Sequence, residues 1–152
     1  MHTRIVLLLA VAILAACSGV PPGPAQPASS GPGGMSAATS LAAYKLDLAQ
    51  RIVQVSSSQV FSGRPQALLR SVVVIKYQVD AHGRLLRSTI LRSNRDRVTE
   101  TTALATLHKS APFPRPAAHL LRHGQVELME TWLFNNDGRF QLRTIAEPQM
   151  DR

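Results

Sequence analysis

The feature of this 152-residue chain that most limits its fold is the stretch from Ser18 to Ser40. Fifteen of its 23 residues are proline, glycine or serine, and none is charged or aromatic. Such a composition buries too little apolar surface to offset the entropy lost on ordering, so it predicts a tether. Aromatic residues begin only at Tyr44 and the charged residues beyond this stretch only at Lys45. The sequence therefore predicts a tether over residues 17–40 and one folded domain over residues 41–152.

A short apolar segment that ends in a cysteine precedes the tether. Residues Ile5 to Ala16 carry no polar side chain and follow the basic Arg4. A membrane-spanning helix needs about 20 apolar residues, whereas a shorter run behind a basic residue is typical of a signal peptide. The ending Leu14-Ala15-Ala16-Cys17 resembles the lipobox of bacterial lipoproteins. This resemblance implies that residues 1–16 are a signal peptide and that Cys17 becomes the lipidated N-terminus of the mature chain.

The lipoprotein resemblance also implies a location. In that family an aspartate directly after the cysteine commonly retains the protein in the inner membrane, and Ser18 stands at that position here. We therefore expect a protein that is lipid-anchored to the outer membrane, with its domain at the periplasmic face. Acyl chains contribute about 0.8 kcal/mol for each buried methylene, so three chains would make a lasting anchor.

The pattern of apolar residues predicts an α+β domain. Spacings of three and four indicate helices, and alternation between turn-forming residues indicates strands. The predicted elements are a helix over Leu41–Val55, strands over Val72–Val79 and Arg84–Arg92, a helix over Arg95–Lys109, and strands over Gln125–Phe134 and Arg139–Ile145. We expect a single antiparallel sheet of about four strands, built as two hairpins and packed with two helices.

The second helix carries the least regular pattern. Asn94 or Ser93 is its expected N-cap, with Asp96 in the first turn, where a negative charge interacts favourably with the helix dipole. Its expected buried face consists of Val98, Leu104, Ala105 and Leu107. The proline-rich run from Pro112 to Pro116 ends this helix and predicts an extended segment.

Residues for catalysis or metal binding do not form a recognisable motif. His119 and His123 are four residues apart, but neighbouring residues do not complete a set of four metal ligands. The serines at 56–58 lack the glycine-flanked turn of a hydrolase nucleophile. The sequence therefore predicts no catalytic residue, no metal site and no cofactor.

The charge of the chain is strongly basic, with a formal net charge of +8. Five arginines fall within fourteen residues, namely Arg84, Arg87, Arg92, Arg95 and Arg97. Such a balance would suggest nucleic acid, but a periplasmic domain does not meet that partner. Anionic lipid headgroups, an acidic protein surface and a simple solvated face remain open for this cluster.

The order of the predicted elements resembles the C-terminal domain of the TonB and TolA energy transducers. The likeness lies in the strand, turn, strand and helix between Val73 and Pro116, with the turn at Asp80-Ala81-His82-Gly83. The ending from Glu130 to Phe134, followed by Asp137 to Arg143, is similar to that of small TonB-related proteins. The resemblance covers about residues 44–147. It implies binding by strand addition, in which an extended peptide pairs with an exposed sheet edge.

A lipid anchor in place of the transducers' transmembrane helix favours partner binding over energy transduction. We expect a non-enzymatic lipoprotein whose domain binds a peptide strand or an acidic surface of another envelope protein, in TonB-related transmembrane transport. The candidate binding edge is the last strand, with Arg139, Phe140, Gln141, Leu142 and Arg143. An open alternative is a structural lipoprotein subunit of a secretion or cell-wall assembly, in which the likeness to TonB is architectural only.

Overall fold

A computed structural model describes residues 33–150 of the chain. The predicted signal peptide, Cys17 and the first part of the predicted tether lie outside these residues. The elements are helix α1 (Leu41–Val55), strands β1 (Ser71–Asp80) and β2 (Leu85–Arg92), helix α2 (Arg97–Lys109), and strands β3 (Gln125–Phe134) and β4 (Phe140–Leu142). The strands form one antiparallel sheet in the order β2-β1-β3-β4. The predicted α+β architecture of four strands and two helices is confirmed.

Strands β1 and β3 form the centre of the sheet. They pair without a break from Ser71 opposite Phe134 to Asp80 opposite Gln125. Alternate residues are buried on one face: Val73, Ile75, Tyr77 and Val79 from β1, and Val126, Leu128, Trp132 and Phe134 from β3. Both helices cover this face, since their buried side chains belong to the same hydrophobic cluster.

Helix α1 has the predicted bounds. Its N-cap is Ser40, whose hydroxyl accepts a hydrogen bond from the Ala43 N–H at 3.2 Å. Tyr44, Leu48 and Ile52 are fully buried. The spacing of three and four that predicted the helix is therefore also the spacing of the side chains that hold it in the core.

Helix α2 begins later than predicted, at Arg97, and the expected caps Ser93 and Asn94 are wrong. Asp96 is the N-cap, and its carboxylate accepts hydrogen bonds from two N–H groups of the first turn, at 3.0 and 3.3 Å. Asn94 instead accepts a hydrogen bond from the Ser71 hydroxyl at 2.5 Å. Asn94 is thus engaged with the start of β1 and does not cap the helix.

The buried face of α2 also differs from the prediction. It consists of Thr99, Ala103, Thr106 and Leu107, whereas Val98 is 63% exposed. The threonines are tolerated in the core because their hydroxyls are hydrogen-bonded. Thr99 donates to the Ser71 hydroxyl at 2.8 Å, and Thr106 accepts from the Trp132 indole at 3.1 Å. Leu107 is buried as predicted and Leu104 is partly buried, but Val98 and Ala105 are exposed, because polar residues on the inner face weakened the periodic signal.

The turn between β1 and β2 lies at Asp80 to Gly83, as predicted. Gly83 has a φ of 81°, and its carbonyl accepts a hydrogen bond from the Phe113 N–H at 2.8 Å. The turn is therefore fixed to the extended segment that follows α2. Phe113 itself is fully buried and lies near Tyr77, with 6.2 Å between ring centroids.

The last strand is shorter than predicted. The sequence indicated a strand from Arg139 to Ile145, but β4 ends at Leu142. The reason is a turn in which the N–H groups of Ile145 and Ala146 donate to the Leu142 carbonyl, at 3.0 and 2.9 Å. The chain therefore leaves the sheet after three residues of pairing with β3.

Residues 34–40, which composition assigns to the tether, lie along the domain, and we call this segment the strap. Arg115 donates its N–H to the Gly34 carbonyl at 2.8 Å, and Ser36 donates its N–H to the Arg115 carbonyl at 2.9 Å. The Ser36 hydroxyl also donates to the Asp47 carboxylate of α1, and Ala38 is buried. Packing on the domain therefore begins before residue 41.

Within residues 33–150, neither helix is long and apolar enough to cross a membrane.

Candidate binding edge

Strand β4 lies at the rim of the sheet, but its outer side is covered. The Phe61 N–H donates to the Phe140 carbonyl at 2.9 Å, and Val60 and Phe140 form an isolated bridge. The Gln141 side-chain amide donates to the carbonyls of Phe61, at 2.9 Å, and Gly63. The segment over residues 60–63 therefore occupies much of the edge that the sequence offered to a partner.

The side chains of this predicted edge are engaged within the domain. Phe140 and Leu142 are fully buried, and Gln141 is 8% exposed. Arg139 forms an ion pair with Asp137 at 2.7 Å and lies 5.0 Å above the Phe61 ring. Among the five residues, Arg143 alone has an exposed side chain and no described side-chain partner within residues 33–150.

The early part of β3 presents the edge that β4 does not cover. Strand β4 pairs only with the last three residues of β3, and the Arg143 N–H extends this pairing to the Thr131 carbonyl at 2.9 Å. In an antiparallel sheet, alternate residues direct their N–H and C=O groups to the same side. The Thr131 carbonyl points toward β4, so the N–H and C=O groups of Glu127 and Met129 point outward on the same side of β3. No strand within residues 33–150 pairs with this side of residues 126–130, which we call the open β3 edge.

A groove of about 520 Å³ runs between the open β3 edge and the start of α1. It is lined by Leu41, Ala42, Lys45, Lys76, Glu127, Leu128 and Met129. Leu41 and Met129 are half-exposed, at 49% and 50%. An added strand would therefore find backbone partners along the edge and apolar side chains beside it.

The groove carries more positive than negative charge. Lys76 forms an ion pair with Glu127 at 3.8 Å, which leaves Lys45 as the uncompensated charge of the lining. A second groove of about 350 Å³ continues at the start of β3 and is lined in part by Arg122 and two histidines. Leu41 and Glu127 line both grooves, so the two are continuous.

Strand β2 forms the opposite rim of the sheet and is less suited to pairing. Its register with β1 shifts twice, between Val74 and Ile75 and between Gln78 and Val79. The exposed Arg87 also stands on this rim. Bulges and charged side chains on an edge oppose the addition of a further strand. The regular, unshifted pairing of β3 with β1 makes the open β3 edge the better template.

Sequence reasoning missed the open β3 edge, although a signal was present. The predicted third strand, Gln125–Phe134, is ten residues long, and the predicted fourth, Arg139–Ile145, is seven. Two strands joined by a tight turn pair from the turn outward, so the first residues of the longer strand lack a partner. The difference in length therefore indicated an unpaired stretch at the start of β3.

The histidines noted in the sequence do not assemble a metal site. Within residues 33–150, no three His, Cys, Asp or Glu side chains gather in a way that could hold a metal ion. The His119 ring is hydrogen-bonded to the Thr39 carbonyl at 2.9 Å, against the strap. His123 lies in the turn before β3 with a φ of 51°.

Two buried tyrosines, Tyr44 and Tyr77, have raised pKa values. Burial, followed by the nearby charges of Asp47 and Asp80, raises the pKa of Tyr44 well above its ordinary value. Its hydroxyl donates to the Pro114 carbonyl at 2.8 Å. Burial, followed by the charge of Glu130, also raises the pKa of Tyr77. Both phenols are therefore held neutral in the core, and Tyr44 fastens α1 to the segment after α2.

Comparisons with known proteins return no relative. No protein-family model matches the chain, and neither the curated proteins nor the solved structures contain a significant match.

Proposed function

We propose that this protein is a non-enzymatic lipoprotein, anchored through Cys17 at the periplasmic face of the outer membrane, that binds an extended segment of another envelope protein. The segment adds to the sheet as a fifth strand along the open β3 edge. The observation that carries this proposal is the unpaired stretch of residues 126–130 beside an apolar groove.

The edge offers a defined set of backbone partners. Glu127 and Met129 each direct one N–H and one carbonyl outward, which allows four hydrogen bonds to an incoming strand. Each such bond contributes on the order of 1 kcal/mol net. Packing against Met129 on the sheet and Leu41 on α1 adds apolar contact, since both side chains are half-exposed. Together these contacts support a site for one short extended peptide.

The TonB-like order of elements supports a partner in TonB-related transmembrane transport. We therefore place the partner segment in an envelope protein of such a system. A lipid-anchored domain has no contact with the proton gradient of the inner membrane, so its role in this proposal is binding. The uncompensated Lys45 of the groove favours a partner segment with an acidic residue.

Photocrosslinking in intact envelopes tests the binding edge. A photoreactive residue at Glu127, whose exposed side chain lies beside the open β3 edge, should give an adduct with an envelope protein. Met129→Pro removes an outward N–H but no bond to β1, so it should abolish the adduct. Met129→Leu keeps that N–H and an apolar side chain, and should retain the adduct.

The controls separate lost binding from lost folding. A photoreactive residue at Leu91, which is as exposed as Met129 but lies on β2, should give no such adduct. Fluorescence of the buried Trp132 should show that each variant is folded. An adduct that persists in the folded Met129→Pro variant would contradict strand addition at this edge.

The lipid anchor is tested separately. Cys17→Ser should leave the protein either uncleaved or released from the membrane, because the thiol that carries the acyl chains is gone. Membrane fractionation and the mass of the processed chain report the outcome. An unchanged mass and unchanged fractionation would show that Cys17 is not the attachment point.

A further inference from the structure

We propose that the strap end of the domain is a membrane-docking surface that rests on anionic phospholipid headgroups. This inference rests on the proposed anchor at Cys17, because it describes how the anchored domain is oriented. The surface, which we call the strap face, consists of Met35, Arg115, His119 and Arg122, all of which are exposed.

Contacts within the domain bring these four residues to the same end of the domain. Met35 and Arg115 form a parallel bridge where the strap meets the extended segment after α2. His119 binds the Thr39 carbonyl further along the strap. Arg122 lies in the turn that leads into β3, and it pairs with Gln125 through two backbone bonds of 2.8 and 3.1 Å. The strap therefore contacts the segments that carry Arg115 and His119, and Arg122 lines the same groove as His119.

The strap face combines two features that interfacial surfaces share, namely cations and an exposed apolar side chain. Neither Arg115 nor Arg122 has a side-chain hydrogen bond or ion pair within residues 33–150. Met35 is 58% exposed directly beside Arg115. An arginine can bind phosphate groups while the neighbouring methionine enters the headgroup region.

The carboxylates at this end of the domain are already engaged. Asp47 accepts a hydrogen bond from the Ser36 hydroxyl. Asp80 forms an ion pair with Arg84 at 2.6 Å, and Glu127 forms one with Lys76 at 3.8 Å. Asp80 and Glu127 are thus balanced by cations, and the two free arginines outnumber the remaining charge of Asp47, so a membrane would meet a net positive charge at this end.

The chain enters the domain at the strap, which brings this end nearest to the proposed anchor. Only fifteen residues separate Cys17 from Gly33, where the described chain begins. At about 3.4 Å per residue, this length reaches at most about 55 Å, even if fully extended. Other arginines, such as Arg92 and Arg97, lie at the opposite end of the sheet, away from the strap. Of the two basic ends, the strap end is the one tied to the anchor.

A tethered vesicle experiment tests the orientation without relying on lipidation in cells. The mature chain, residues 17–152, is coupled through its only cysteine, Cys17, to a maleimide lipid in vesicles. A photoreactive residue replaces Met35 in one preparation and Leu91 in another. Vesicles contain either equal parts of phosphatidylglycerol and phosphatidylcholine, or phosphatidylcholine alone.

The expected result is a lipid adduct at Met35 that depends on phosphatidylglycerol, with little adduct at Leu91. Arg115→Glu combined with Arg122→Glu should reduce the Met35 adduct at least about fivefold, since each arginine near an anionic surface contributes about that factor. The matched control, Arg92→Glu with Arg97→Glu, makes the same change in net charge at the opposite end. It should leave the adduct unchanged.

Three results would overturn the proposal. These are equal adducts at Met35 and Leu91, an adduct that is insensitive to phosphatidylglycerol, and an equal loss in both pairs of arginine variants. The last result would indicate attraction by net charge alone. Because the anchor is supplied chemically, failure here would be distinct from failure of the Cys17→Ser test, which addresses lipidation itself.

Discussion

At the scale of single residues, Gly83 shows how one position ties two parts of the chain together. Its φ of 81° lies in the left-handed region, which residues with a Cβ rarely adopt. A Cβ at this position would lie 2.0 Å from the Phe113 carbonyl oxygen, which is backbone and cannot rotate away. The turn after β1 therefore requires glycine for two independent reasons.

We expect Gly83→Ala to lower the free energy of unfolding by at least about 3 kcal/mol, which is in the range of severe substitutions. Gly124→Ala is the matched control, since Gly124 has a φ of 77° but no atom near the added Cβ. Gly124→Ala should lower the free energy of unfolding by only about 1–2 kcal/mol, which is the cost of placing alanine in the left-handed region. Urea unfolding followed by Trp132 fluorescence measures both. Equal costs would show that contact with Phe113 is unimportant.

Asp80 gives the domain a dependence on pH. Desolvation by burial raises its pKa, but hydrogen bonds from the Arg84 backbone and side chain and from the His82 N–H together outweigh burial. The net effect lowers the pKa in the folded state. A lowered pKa means that the charged form stabilises the fold above the unfolded value of about 3.9, and that this stability is lost as pH falls through the folded value.

We therefore expect wild type to exceed Asp80→Asn in stability at neutral pH, by about 1–3 kcal/mol. The difference should shrink as the pH is lowered below about 4, because wild type then loses its charge and the asparagine variant has none to lose. Urea unfolding across this pH range provides the measurement. If the stability of the two proteins changed in parallel with pH, the charge of Asp80 would not be the source of the difference.

At the scale of elements, helix α2 is joined to the sheet by a polar contact inside the core. The Trp132 indole of β3 donates to the Thr106 hydroxyl at 3.1 Å, and that hydroxyl donates to the Ala103 carbonyl at 3.0 Å. All three residues are buried. An unpaired indole N–H in this position would carry the full cost of its desolvation.

Thr106→Val should therefore destabilise the domain by about 1–3 kcal/mol, although it keeps the shape and adds an apolar methyl group. Thr106→Ser keeps the hydroxyl and should recover most of this loss. Thermal unfolding of the two variants distinguishes a hydrogen bond from simple packing. If serine and valine were equally destabilising, packing of the threonine methyl group would be the larger contribution.

The elements differ in how well sequence alone predicts them. Helix α1 and strand β3 have the predicted bounds because their buried residues follow one period throughout, and Glu130 is the one charged residue among them. The start of α2 was missed because Asn94 binds Ser71, a contact between residues far apart in the chain. The end of β4 and the cover of its outer side likewise depend on distant segments. For that reason the sequence did not indicate that the predicted binding edge is covered.

At the scale of the whole molecule, the strap extends the folded unit beyond its compositional boundary. Its partner Arg115 is 80 residues away from Met35, so no local pattern could indicate that the strap is packed. Small residues such as Ser36 and Ala38 look like tether residues in sequence, yet both are buried. Composition predicts which residues cannot form a core of their own, but these residues pack on a core formed by others.

Removing the strap should lower stability while leaving the sheet intact. A chain that begins at Ser40 keeps the cap of α1 but loses the bonds to Arg115 and Asp47, and should be less stable by about 1–3 kcal/mol. A chain that begins at Gly33 should match a chain that begins at Cys17. Differential scanning calorimetry compares the three. Equal stability of the Ser40 chain would show that strap contacts contribute nothing net.

The position of the strap also determines how the domain responds to force. A pull from the N-terminal side reaches the two backbone bonds at Arg115 and the Ser36 contact before it reaches α1. These bonds can release while the sheet stays closed, since none of them belongs to a strand of the sheet. Release of the seven strap residues would lengthen the free chain by less than about 24 Å, because the strap already spans part of that distance. The domain would then stay folded while the distance between it and the N-terminal end of the chain increases.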